Sequence, residues 1–169
     1  GLGKAYADCG EWKRARDCLA RSERMFKEIE SDLFLPEVYR RQALVYLNEG
    51  RLEKAQELVD QSIALAANLD MTLERGISLR VRGQVGRATG KLQEAEAALR
   101  ESLEILKRQH NRYQMGETLH QLGRLYKAEV AGGDKTAAAK AHVAFRKAAK
   151  IFEELGSERA LARVREMIQ

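Results

Sequence analysis

The sequence predicts an all-α protein built as an α-solenoid of antiparallel helix pairs. Three observations carry that prediction. The first is a single proline among 169 residues, against an ordinary usage of about 5%. Proline breaks helix interiors, so the chain is read as long, uninterrupted helices. The second is a set of small and large residues that recur in steps of 40. The third is a composition of 44% hydrophobic and 33% charged residues. Such a chain buries a core and keeps a heavily solvated surface, and it has no run near the ~18 apolar residues of a membrane span. Two cysteines cannot staple a secreted scaffold, and no basic-plus-apolar opening segment reads as a signal peptide. The expectation is a cytoplasmic chain with reduced thiols at Cys9 and Cys18 and no membrane partner.

The repeat columns are specific. Gly3 recurs as Ala43, Gly83 and Gly123, and Gly10 as Gly50 and Gly90. Tyr6 recurs as Tyr46 and Tyr126, Ala15 as Ala55 and Ala95, Leu19 as Val59 and Leu99, and Ser22 as Ser62 and Ser102. In the fourth unit Ala141, Phe145 and Ala148 lie 46 residues after Ala95, Leu99 and Ser102. About six residues are therefore inserted between Tyr126 and Ala141, and the expected place is Ala131-Gly132-Gly133-Asp134. The small columns mark close approach of helix backbones, and the large ones fill the space between hairpins. No single hairpin buries its apolar face; stacking does.

The elements follow in order. A short helix over Leu2–Cys9 turns at Gly10-Glu11 into Trp12–Glu30. Ser31 to Pro36 forms a link. Glu37–Asn48 pairs with Leu52–Leu69, Thr72–Thr89 with Leu92–Gln109, and Arg112–Val130 with Thr136–Leu155. Glycines 10, 50, 90 and 156 fall where a left-handed residue ends a helix. Ser157 is placed to cap Glu158–Ile168 through its side-chain oxygen. Four units span about 1–33, 34–71, 72–110 and 111–156, and 157–169 forms a C-terminal capping helix. The first unit begins inside its first helix. The expectation is excision from a longer chain, which leaves an uncapped apolar edge where a homo-oligomer could form.

The pattern Leu2-Gly3-x2-Tyr6, then Gly10, then Ala15-x3-Leu19-x2-Ser22 resembles a tetratricopeptide repeat (TPR). So does Leu122-Gly123-x2-Tyr126 followed by Ala141-x3-Phe145-x2-Ala148. The central units match more loosely, with Ala43 in place of the glycine and Gly86 in place of the tyrosine. The period of 40 exceeds the basic ~34 and is similar to the longer-helix subtype of bacterial regulatory proteins. The family's proline after the second helix is missing; Pro36 instead suits a helix N-terminus.

This resemblance implies a right-handed superhelix whose first helices line a concave groove. It also implies a non-catalytic protein–protein interaction scaffold, part of a larger cytosolic regulatory or signalling protein. Carried onto this sequence, the groove columns are Arg40, Arg80 and His120; Lys4, Leu44, Gln84 and Arg124; and Leu47, Arg87 and Lys127, with Asp8 and Asn48 beside them. Glu37 and Glu117 stand near their helix starts. Arginine offers a planar fork to carboxylates, and a one-signed concave surface focuses the field. The expected partner is an acidic peptide or protein segment. The family's chaperone-tail carboxylate clamp is not carried over, because Lys4 stands where that clamp has Asn and Leu44 holds the next position.

No chemistry of catalysis is legible. His110, His120 and His142 have no i,i+4 partner among themselves, and no HExxH or paired Cys/His spacing suggests a metal. Gly86-Arg87-Ala88-Thr89-Gly90-Lys91-Leu92 is one residue short of a phosphate-binding loop and carries Leu92 where Ser or Thr would bind Mg²⁺. No cofactor and no catalytic residue is therefore expected. A pI near 9.3 raises nucleic-acid binding as an alternative. It is disfavoured, because helical-repeat RNA readers need base-reading side chains in each unit and single-strand binders need stacking aromatics. Tyr6, Tyr46 and Tyr126 are already packing columns. Self-association through the N-terminal edge is the remaining alternative.

Overall fold

The computed structural model describes Gly3, residues 11–134 and residues 136–168. Among these residues the chain forms eight α-helices: α1 (Trp12–Glu28), α2 (Leu35–Asn48), α3 (Leu52–Asn68), α4 (Thr72–Ala88), α5 (Leu92–Arg108), α6 (Arg112–Ala131), α7 (Ala137–Glu154) and α8 (Glu158–Ile168). The expected first helix over Leu2–Cys9 and its turn at Gly10 lie outside the described residues, apart from Gly3, which is helical and buried.

The helices stop where they do because their ends share one device. Glu30, Gly50, Asp70, Gly90, His110, Gly133 and Gly156 all have positive φ. At each, that residue's N–H reaches back three residues and the next N–H reaches back five, as in Gly50 to the Leu47 carbonyl and Arg51 to the Tyr46 carbonyl. This is the Schellman closure of a helix C-terminus. The first five of these corners are 20 residues apart, so the 40-residue unit is two helix-plus-turn modules. Glycine takes this conformation without steric cost, and it occupies the corner inside each described pair. Glu30, Asp70 and His110 hold the corners between pairs.

The link before the second pair is more ordered than the expected loop. A 3₁₀ turn over Asp32–Phe34 runs directly into α2, which starts at Leu35 with Pro36 in its first turn. Ser157 stands at the start of α8, its carbonyl accepting from Leu161 N–H at 2.9 Å. The insertion in the fourth unit is distributed. Against α4 and α5, α6 is three residues longer, the turn two longer and α7 one longer.

Helices α2 and α3, α4 and α5, and α6 and α7 form successive antiparallel pairs; α3 packs on α4, α5 on α6 and α7 on α8. Inside each pair a small residue meets a large one. A Cβ added at Gly83 would lie 2.4 Å from Leu99 Cγ, and one at Gly123 would lie 2.5 Å from Phe145 Cε1. Ala43 carries that extra carbon, and its unit has Val59 in the large column, both fully buried in one cluster. The largest cluster lies toward the C-terminus, where Leu122, Phe145, Phe152 and Val164 are buried together. Ala160 and Val164 turn the inner face of α8 into this core.

Between pairs the wall is sealed by hydroxyls. Ser62 Oγ donates to the Pro36 carbonyl at 2.6 Å and lies 2.8 Å from Ser78 Oγ. Forty residues on, Ser102 Oγ donates to the Gly76 carbonyl at 2.7 Å and lies 3.2 Å from Thr118 Oγ1. Buried hydroxyls need such partners, and here each serine ties three helices together.

The candidate peptide groove

The first helices of successive units touch each other, α2 on α4 and α4 on α6. A cavity of about 320 Å³ opens along this row, lined in part by Arg40, Leu44, Arg80, Tyr113, Gln114 and Glu117. Two contacts set its geometry. Arg40 Nε donates to Glu74 Oε1 at 2.5 Å, and Arg80 Nη1 donates to Gln114 Oε1 at 2.6 Å. Both join residues 34 apart, so the same offset stitches α2 to α4 and α4 to α6.

The expected groove residues separate into three groups. Arg40 is buried and ion-paired with Glu74, so its charge is satisfied within the fold. His120 is also buried, 3% exposed, with its ring 5.9 Å from that of Phe145. Burial, with the neighbouring charges of Arg163 and Arg124, pushes its pKa down to about 4. It is a neutral core residue at pH 7 and adds no charge to the groove, contrary to its place in the basic column. The repeat register set its face correctly as far as α6, but the Phe145 ring of α7 covers it.

Arg80, Arg87 and Arg124 form the second group. All three are half-buried, and none has a carboxylate ion-pair partner among the described residues. Burial, opposed in part by the charge of Glu117, lowers the Arg80 pKa to about 10, so it remains a cation at pH 7. Burial lowers Arg87 as well, and the neighbouring Arg124 lowers it further. The nearby Glu117 is itself held by Arg163. The third group is peripheral. Gln84 is half-buried, Lys127 and Asn48 are exposed, and Asn48 Nδ2 donates to the Leu44 carbonyl at 2.7 Å. Lys4 lies outside the described residues.

Residues 34–108 match the family model for the tetratricopeptide repeat. Over that segment, less than half of the chain, the sequence is similar to tetratricopeptide repeats. Solved structures extend the likeness of fold to nearly the whole chain. BtubC (BKLC) from P. vanneervenii superposes with a TM-score of 0.68 at 16% identity, covering 98% of this chain and 76% of that one. The kinesin light chain nearly identical TPR-like repeats from Podosopora anserina superpose with a TM-score of 0.57 at 17% identity, covering 99% and 90%. At such identities the likeness is one of fold. No curated protein matches the sequence significantly.

In the groove, sequence reasoning missed Glu74, Tyr113 and Gln114. The signal for the first and third was present, since each lies 34 residues after a groove arginine. Tyr113 is 44% exposed and packs edge-on against Phe152 at 5.6 Å, so its ring is fixed at the cavity rim. Among the described residues no group of three His, Cys, Asp or Glu side chains is arranged for a metal, and no helix is long and apolar enough to cross a membrane. A second cavity, about 450 Å³, lies between α1 and α2 and is lined by Cys18, Met25, Phe26 and Phe34. Met25 there is 55% exposed.

Proposed function

We propose that this TPR array is a non-catalytic protein-interaction module whose groove receives an acidic segment of a partner protein. The observation that carries the reading is the set of half-buried arginines Arg80, Arg87 and Arg124, on neighbouring first helices and without carboxylate partners among the described residues. Fixed, partly desolvated cations attract an opposite charge more strongly than solvated ones do. Arginine forks pair bidentately with carboxylates. Leu44, Ile77 and the Tyr113 ring add apolar lining beside Arg80, as a peptide site requires. The similarity to long-period regulatory arrays supports a role inside a larger cytosolic signalling protein.

A panel of fluorescein-labelled octapeptides, acidic, neutral and basic, tests the proposal by anisotropy. The acidic peptides bind and weaken as salt rises, because surface charge attraction is screened. Equal binding across the three classes contradicts the proposal.

A further inference from the structure

Five large apolar side chains are more than half exposed among the described residues, and four of them lie close in sequence: Met25, Ile29, Leu33 and Phe34. The fifth, Val143, stands apart on α7. Ile29 is the most open of them, at 68%. Met25 lies in the last turn of α1, Ile29 closes that helix, and Leu33 and Phe34 belong to the 3₁₀ turn that follows. The Phe34 ring stacks on Phe26 of α1 with centroids 5.1 Å apart, so the turn is held against the helix. The cavity of about 450 Å³ between α1 and α2 opens here, lined in part by Met25, Phe26 and Phe34.

The charges on this face are sorted along it. Arg21 and Arg24 lie toward its N-terminal end, and Glu28, Glu30 and Asp32 toward its C-terminal end. At 3.6 residues per turn, Arg21, Arg24, Met25, Glu28 and Ile29 fall within an arc of about 140°. All five charged residues are exposed, and none has an ion-pair partner among the described residues. Lys27, by contrast, is held by Glu23. The face is thus positive at one end, apolar in the middle and negative at the other.

We infer that this face docks on the same face of a second copy of the chain, with the two α1 helices antiparallel about a two-fold axis. A two-fold contact sets one patch against itself, so every facing pair occurs twice. With Met25 level with Ile29 of the other copy, Arg24 comes level with Glu30, and Arg21 with Asp32 and Leu33. A parallel alignment would set like charges side by side. The charge order selects the occupant, because a uniformly acidic or uniformly basic partner is repelled by one end of the face. The apolar centre supplies the affinity, and the flanking charges fix the orientation. Arg80, Arg87 and Arg124 take no part in the contact, so a dimer presents two copies of each.

The test is analytical ultracentrifugation of the chain from about 1 μM to about 1 mM, with circular dichroism confirming that each variant is helical. The parent chain dimerises within that range, and Ile29→Asp, a change at an exposed site, weakens the dimer at least about tenfold. Two charge variants read the orientation. Arg21→Glu with Arg24→Glu makes the α1 face acidic throughout, and Glu28→Lys with Glu30→Lys makes it basic. Each alone associates more weakly than the parent. Their equimolar mixture associates one-to-one and more tightly than the parent, because every facing charge is then opposite. Adding Ile29→Asp to either variant abolishes that pairing. A parent chain that stays monomeric throughout, a dimer undiminished by Ile29→Asp, or charge variants that associate no better mixed than alone overturns the inference.

Discussion

The hydroxyls of Ser62 and Ser78 meet at 2.8 Å inside the wall between the second and third helix pairs, with no solvent access to either residue. Ser102 and Thr118 repeat the contact one unit later. At the corresponding place in the fourth unit stand Ala148 and Val164, buried in one apolar cluster. The fold thus solves the same junction in a polar and an apolar way.

That contrast predicts a compensation. Ser62→Ala strands Ser78 and removes a donor from the Pro36 carbonyl, and it costs about 1–2 kcal/mol of stability. Replacing both sides, Ser62→Ala with Ser78→Val, reproduces the Ala148–Val164 junction and recovers most of the loss, since apolar replacement of both partners of a buried bond is nearly neutral. Urea unfolding of the single and double variants measures it.

A second compensation is written into the pairs. Gly83→Ala places a methyl 2.4 Å from Leu99 Cγ. Overpacking of this kind costs about 1–3 kcal/mol, offset in part by the better helix propensity of alanine, worth about 1 kcal/mol. Adding Leu99→Val removes the two δ carbons that crowd the added methyl at 2.8 and 3.1 Å and copies the natural Ala43–Val59 pair. The double variant melts above Gly83→Ala alone.

His120 makes stability depend on pH. Its pKa is about 4 in the fold against about 6.5 in an unfolded chain. Between those values the unfolded state takes up a proton that the folded state refuses. The neutral imidazole therefore leaves the fold at full strength above pH 6.5, and stability falls as pH drops from there toward 4. The loss is on the order of 2–3 kcal/mol. His120→Leu, which cannot charge, loses less between pH 7 and pH 4.5 than the parent chain does. Thermal melts of both proteins at the two pH values compare the slopes.

Much of the fold was legible because the repeat states it several times. Glycines 50, 90 and 156 mark their helix ends, and α8 spans the residues expected of it, Glu158–Ile168. Equivalent corners at Glu30, Asp70 and His110 were hidden, since nothing in those residue types announces a positive φ. The groove was legible only in part. A column of like residues fixes which face of a helix is shared, but not what the next helix places over it. Arg40 is covered by Glu74, and His120 lies against Phe145 across the pair. Arg87 remains half-buried and unpaired, and Gln121 rather than a carboxylate stands 34 residues after it.

The most direct measurement is the affinity of a labelled acidic octapeptide for the parent chain and for the Arg80→Glu, Arg124→Glu double variant, with circular dichroism confirming that both are helical. The groove account predicts that the double reversal abolishes binding, because it replaces two attracting charges with two repelling ones. Undiminished binding by a folded double variant contradicts it.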